Sequence, residues 1–216
     1  MSSRQKVTDL LFAVQFVGAA LFCGGYIMRS FSDVTGSSVA QFGLVEMFLL
    51  FQLALTVSAH RTSPSRLTEQ AICTYLFWFI LMFLVIAVVL LNPAYRWNEK
   101  DTTTAIVALV LTVLTLSFNY ANGSSLKDPF IRALFAIAYK SVPQVLLAWK
   151  FLAEGASGTP DLSVYVGHAT ILIRLGQIYF MGKEAGWDRN RMWLWRSEWA
   201  NEISWLVATV AWFLVS

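Results

Sequence analysis

Three ionisable side chains interrupt stretches of the sequence that are otherwise apolar. Glu46, Lys140 and Arg174 each stand near the middle of a mostly apolar segment. A charge deep in a bilayer costs about 2.5–3.5 kcal/mol or more, so such residues normally face a bundle interior or a wet cavity. We therefore predict that the three charges share one depth and one interior space. Lys140 and Arg174 would favour an anionic or zwitterionic group, with Glu46 as counter-charge or proton acceptor.

Uncharged polar residues extend this candidate site. Arg174 and Gln177 are about one turn apart on one helix face, as Lys140 and Gln144 are on another. Asn201 stands near the start of the last apolar segment. The predicted substrate-binding residues are Glu46, Lys140, Gln144, Arg174, Gln177 and Asn201.

Other interpretations of the same residues remain open. Glu46 and Arg174 could form a structural ion pair that joins two parts of the bundle. His168 is, with Glu46, a candidate for proton coupling, but it also fits a hydrogen-bonded interior histidine. Gln177 could simply bridge two helices, since hydrogen bonds between membrane helices contribute about 0.6 kcal/mol each.

The composition indicates the elements that must position these side chains. The chain of 216 residues is 57% hydrophobic and 13% charged, whereas a soluble domain has roughly 25% charged residues. We therefore predict an all-α integral membrane protein with lipid bilayer around it. A spanning helix needs about 20 apolar residues, and the segments that qualify are 10–28, 39–58, 70–91, 104–120, 130–151, 162–182 and 200–216.

Charge placement predicts the orientation and excludes one class of partner. The net charge of +3 is too small to suggest nucleic acid, and no basic stripe is present. Lys and Arg residues favour one side of the predicted bundle ten to four, which indicates a cytoplasmic N-terminus and an outside C-terminus. The expected location is a bacterial inner or plasma membrane. The longest connection, 183–199, should lie at the interface as an amphipathic start to the last helix.

The sequence offers no signature of a cofactor, a metal site or an enzyme. Cys23 and Cys73 stand inside apolar runs, where they are best interpreted as small buried hydrophobes. Nucleotide-binding glycine motifs, HExxH and GxSxG are absent from the sequence, and nothing supplies a nucleophile with its base.

An internal repeat relates the two ends of the chain. Sliding the sequence by 125 positions places 10–91 on 135–216, with 11 of 82 positions identical. Gln52 then falls on Gln177, and the first three apolar segments fall on the last three. This predicts two parallel three-helix repeats, residues 1–92 and 129–216, joined by a linker helix within 93–128.

The second repeat resembles a known superfamily. Pro143-Gln144 stands mid-helix and is followed by a basic residue, Lys150, a glycine-rich link, and a helix that carries Arg174. With the 3+1+3 layout, this is similar to the PQ-loop superfamily, which includes SWEET sugar transporters, cystinosin-like exporters and PnuC vitamin transporters. The first repeat departs from the pattern, because Gly18-Ala19 takes the place of Pro-Gln.

The resemblance implies a transporter that works by alternating access. Pro143 would be a hinge, although a static kink is the plain alternative, and Asn201 would help to form the substrate pocket. Lys150 should mark the membrane edge. The charged residues favour an amino acid, organic acid or phosphorylated metabolite over a neutral sugar. The alternative is a non-transporting subunit, scaffold or receptor-like protein, with the aromatic segment 192–205 as a surface for a partner protein or a second copy.

Overall fold

Long helices account for almost all of the protein. The computed structural model describes residues 3–216, in which there is no strand. The fifth of seven helical rods is built from two α-helices and one turn of π-helix between them; we call it the α5–α6 rod. The elements are α1 (Ser3–Ser30), α2 (Val39–Thr62), α3 (Arg66–Leu91), α4 (Glu99–Ala121), α5 (Pro129–Ala136), the π-turn (Ile137–Ser141), α6 (Val142–Glu154), α7 (Asp161–Ala185) and α8 (Arg189–Val215).

Short polar side chains fix where the helices begin. The Ser38 hydroxyl accepts a hydrogen bond from the Gln41 N–H at the start of α2, and Ser65 forms a capping box with Thr68 at the start of α3. Such caps satisfy N–H groups that have no partner within the helix. The predicted long connection 183–199 is mostly helical, since only residues 186–188 separate α7 from α8.

Five of the rods are long and apolar enough to cross a membrane: α1 to α4 and the α5–α6 rod. This supports a membrane location for the protein. The helices α7 and α8 do not meet the same measure, because polar residues such as His168, Arg174 and Glu202 lower their hydropathy.

The first and last groups of three rods pack in the same order. In the first half, α3 packs against both α1 and α2; in the second half, α8 packs against both the α5–α6 rod and α7. The halves meet where α1 contacts α7 and where α2 contacts the π-turn and α6. The remaining helix, α4, packs against α2 and the α5–α6 rod.

Each half has a hydrophobic core of its own. One cluster is built around Cys23, Phe42 and Val85, and the other around Phe151, Val164 and Trp212. Phe22 packs against both clusters. A single aromatic side chain of α1 thus contributes to the packing of both halves.

Glycine lets α1 and α7 approach closely. A Cβ atom on Gly18 would lie 2.5 Å from the Thr170 methyl group, and one on Gly25 would lie 2.5 Å from the Ser163 hydroxyl. Gly18 is the residue that the 125-position shift aligns with Pro143. Helix packing therefore explains why this position of the first half holds the smallest side chain.

The π-turn lies immediately before Pro143. Here the Val142 N–H donates to the Ile137 carbonyl, five residues back. Proline has no N–H, and its ring would clash with the carbonyl one turn earlier in a regular α-helix. The wider π-turn relieves this clash, and π-turns are frequent at functional sites.

Candidate functional site: a cavity between the halves

A cavity of about 210 Å³ lies between the two halves. All the rods except α4 contribute to its lining among the described residues. At one end it reaches Pro129, the first residue of α5, and Asn190, the second residue of α8. We call this end of the bundle the open face; it carries the connections 63–65, 122–128 and 186–188.

The wall formed by the second half carries all the charged residues that line the cavity in the part of the chain that the structure describes. Lys140 Nζ lies 3.0 Å from Glu198 Oε2, and the charge of Arg174 also acts on Glu198. With Arg132, the wall holds three cations and one carboxylate. This surplus of positive charge suits a negatively charged or zwitterionic ligand.

A chain of hydrogen bonds organises the same wall. Gln144 donates to Asn201 Oδ1 at 3.1 Å and accepts from the Ser204 hydroxyl at 2.6 Å. Asn201 in turn donates to Glu198 Oε2 at 3.3 Å. Because the chain continues to Lys140, it ties the π-turn and α6 to α8 and fixes the direction of each polar group.

The wall formed by the first half is aromatic and neutral. Its polar members include Gln15, Gln41 and Gln52, and Arg132 donates to Gln52 Oε1 at 2.6 Å across the cavity. The rings of Phe22 and Trp78 lie 5.8 Å apart. The aromatic residues of this wall are Phe22, Phe42, Phe48, Tyr75 and Trp78.

Four of the predicted substrate-binding residues line this cavity, namely Lys140, Gln144, Arg174 and Asn201. The other two, Glu46 and Gln177, are not among its lining residues. Gln177 accepts a hydrogen bond from Arg174 at 3.2 Å, which helps to fix the position of the guanidinium.

Glu46 does not form the ion pair with Arg174 that its position suggested. Both of its carboxylate oxygens are buried and have no hydrogen-bond partner among the described residues. An unpaired carboxylate in such surroundings is costly in its charged form, which keeps Glu46 a candidate for carrying a proton.

The second proton-coupling candidate, His168, lies between α7 and α8. Its Nδ1 is 2.6 Å from Glu202 Oε1, and its Nε2 is 2.9 Å from the Thr209 hydroxyl. His168 is not a lining residue of the cavity. Both ring nitrogens are therefore engaged within the second half, as expected for a hydrogen-bonded interior histidine.

Lys150, which we predicted to mark the membrane edge, lies near the end of α6 and points into the protein interior. Its side chain is 3% exposed, and its Nζ lies 2.8 Å from the Asp101 carboxylate, which is fully buried. Asp101 also accepts hydrogen bonds from Ser38 at 2.6 Å and Tyr95 at 3.3 Å. This buried cluster joins α2, α4 and α6 at the end of the bundle opposite the open face.

Direct contacts hold the halves together at that opposite end, which we call the closed face. Arg29 Nε donates to the Ser157 carbonyl at 2.8 Å, and the Gly158 N–H donates to the Thr35 carbonyl at 3.0 Å. Partial burial raises the pKa of Asp33, but hydrogen bonds from Ser157 and Thr35 and the charge of Arg29 outweigh this and lower the pKa below its ordinary value.

Sequence reasoning missed Arg132 and Glu198 as cavity residues. Arg132 stands so near the start of its helix that it counted as a flanking charge, and Glu198 fell within the segment expected at the interface. The 125-position shift gave no signal for either residue, since it aligns them with Val7 and Cys73. It does align Gln15 with Lys140, and both of these line the cavity.

Among the described residues, no group of three or more His, Cys, Asp or Glu side chains could hold a metal ion. Comparisons with protein-family models, curated proteins and solved structures found no match. The functional argument therefore depends on the geometry of the cavity and of the two faces.

Proposed function

We propose that the protein is a membrane transporter that moves a small anionic or zwitterionic metabolite by alternating access. The observation that carries this proposal is the cavity between the halves, which is cationic on one wall and reaches the open face. We infer that the contacts of the closed face, which join the two halves there, shut the other end of the cavity. In this proposal all seven rods span the membrane, and the polar residues of α7 and α8 face the interior.

The packing of the rods supports two related halves of the PQ-loop type. In the two halves, α1 corresponds to the α5–α6 rod and α2 corresponds to α7. The contact between α1 and α7 therefore has an equivalent, the contact between the α5–α6 rod and α2, and both are present. Within each half, the third rod packs against the other two. Parallel repeats of this kind form substrate sites between them in many transporters.

The cavity chemistry favours transport over a purely structural role. A scaffold would be expected to have a dry interior and a direct bridge between Glu46 and Arg174. Instead Arg174 lines the cavity, and it donates a hydrogen bond to Gln177. The donors that remain are suited to a carboxylate or phosphate group.

An uptake assay tests the proposal. Purified protein in liposomes is screened with labelled amino acids, organic acids and phosphorylated metabolites. We expect at least one anionic or zwitterionic solute to enter, and Arg174→Gln to reduce its uptake about tenfold or more through the loss of a charged hydrogen bond. Arg189→Gln is the matched control, since that side chain is 66% exposed. Failure of every solute on a broad panel would refute transport of this class.

A further inference from the structure

The two walls of the cavity differ in chemistry. In the part of the chain that the structure describes, every charged lining residue comes from the second half, while five of the six lining aromatic residues come from the first half. A ligand between the walls therefore meets charge on one side and rings on the other. The sixth aromatic residue, Trp205, has its ring 6.1 Å from Phe22 and closes the aromatic surface at the boundary between the halves.

Lys140 lies where the two walls meet. Its Nζ is 5.3 Å from the centre of the Phe48 ring on one side and 3.0 Å from Glu198 on the other. An acidic group bound here would be directly beside the aromatic wall. Arg174 has five N–H donors available in its guanidinium group, and the described bonds use one of them, to Gln177.

Two acceptors on the aromatic wall have no hydrogen-bond partner in the part of the chain that the structure describes. Gln15 is 7% exposed and Gln41 is 5% exposed, and the Oε1 atom of each is buried without a hydrogen bond among the described residues. Both residues line the cavity. Buried polar groups are normally satisfied. Because both of these oxygens accept hydrogen bonds, a carboxylate cannot pair with them, and a water molecule or a ligand N–H or O–H group would be needed.

We propose that the ligand of this cavity is a small aromatic carboxylic acid. Its carboxylate would bind Arg174 and Lys140, and its ring would stack against Trp78 and Phe22, the ring pair of the opposite wall. The cavity volume of about 210 Å³ is below the roughly 300–1,000 Å³ of pockets for drug-sized ligands, which suits a single ring. This inference rests on the proposed function and names the substrate class of the same site.

Calorimetric titration of the full-length protein in detergent tests the ligand class without requiring transport. The probes are phenylacetate, its neutral amide phenylacetamide, the non-aromatic cyclohexylacetate, and acetate. We expect phenylacetate to bind, the amide and acetate to bind roughly tenfold more weakly or worse, and cyclohexylacetate to bind about threefold more weakly or worse. Equal binding of any of the three comparison ligands, or no binding of phenylacetate, would overturn the proposal.

Matched variants locate the binding. Arg174→Gln and Trp78→Leu should each weaken phenylacetate binding about tenfold, whereas Arg174→Lys and Trp78→Phe should keep part of it. Trp187→Leu and Arg189→Gln, which lie outside the cavity lining, are the controls. If Trp78→Leu fails to fold, Trp78→Phe still reports on the ring. If phenylacetate binds but no solute crosses the membrane, the proposed function fails while the ligand class stands. If a different anion is taken up and phenylacetate does not bind, only the ligand class is refuted.

Discussion

Among the described residues, the two most buried charges are far apart in sequence. Lys150 and Asp101 come from different helices and pair where neither meets solvent. In sequence, Lys150 follows an apolar run and Asp101 follows a polar connection, which is also the pattern of residues at a membrane edge. Because pairing depends on how α4 packs against α6, local sequence could not reveal it.

Removing Lys150 alone should be strongly destabilising. Lys150→Met leaves the Asp101 carboxylate buried without its cation, which costs about 3–5 kcal/mol when a buried pair is broken. The double variant Lys150→Met with Asp101→Asn removes both charges and should recover most of this loss. Thermal unfolding in detergent measures both effects.

The control is Lys100→Met. Lys100 Nζ lies 3.2 Å from Glu154 Oε1, and the two side chains are 21% and 28% exposed. Pairs in contact with solvent contribute roughly 0–1 kcal/mol. Loss of this partly exposed pair should therefore lower the unfolding temperature much less than loss of the buried one. Equal losses for Lys100→Met and Lys150→Met would contradict the account of the buried pair.

The location of each helix follows from the sequence, but the irregular turn within the fifth rod does not. Seven apolar runs separated by turn residues predicted the seven rods, since apolar length and helix-breaking residues are local properties. Pro143 predicted a kink in the fifth rod. It did not predict the π-turn at Ile137–Ser141, because several backbone adjustments can accommodate a proline.

The contact between α1 and α7 should be sensitive to one methyl group. Gly18→Ala places a Cβ against the Thr170 methyl, and such overpacking costs about 1–3 kcal/mol. Thr170→Ser removes that methyl while keeping the hydroxyl bond to the Gly167 carbonyl, so it should rescue Gly18→Ala. Gly24→Ala is the control, because nothing lies within 4 Å of its Cβ position. Melting temperatures that fall equally for Gly18→Ala and Gly24→Ala would refute this packing.

A hinge and a static kink at Pro143 make opposite predictions for Pro143→Ala. Alanine restores the missing N–H and allows a regular helix, so we expect unfolding stability to hold or rise. If the rod flexes here during transport, solute uptake should fall several-fold at unchanged protein level. Pro93→Ala, in the connection before α4, serves as the control. Unchanged uptake by Pro143→Ala would show that the kink is static.

At the scale of the whole molecule, the halves are asymmetric in chemistry although they pack alike. The first half brings neutral amides and rings to the cavity, and the second half brings the charges. The sequence shift matches the first three apolar segments to the last three because hydrophobic segments keep their register. It could not predict which polar residues face the cavity, as Glu46 and Arg132 illustrate, because that depends on how each helix is rotated in the bundle.

Alternating access requires the closed face to open. The side chains of Asp33 and Ser157 are within hydrogen-bond reach there, one from each half. Asp33→Cys with Ser157→Cys, in a Cys73→Ser background, would allow a disulfide to hold the closed face shut. The buried Cys23 is left in place.

The most direct test of alternating access is an uptake assay with this double-cysteine protein in liposomes. Uptake of the anionic solute found on the panel is measured before and after oxidation. We predict that the reduced protein transports, that oxidation abolishes uptake, and that a reductant restores it. Uptake by each single-cysteine protein should not change on oxidation. Equal uptake by the oxidised and reduced double variant would contradict alternating access between the two halves.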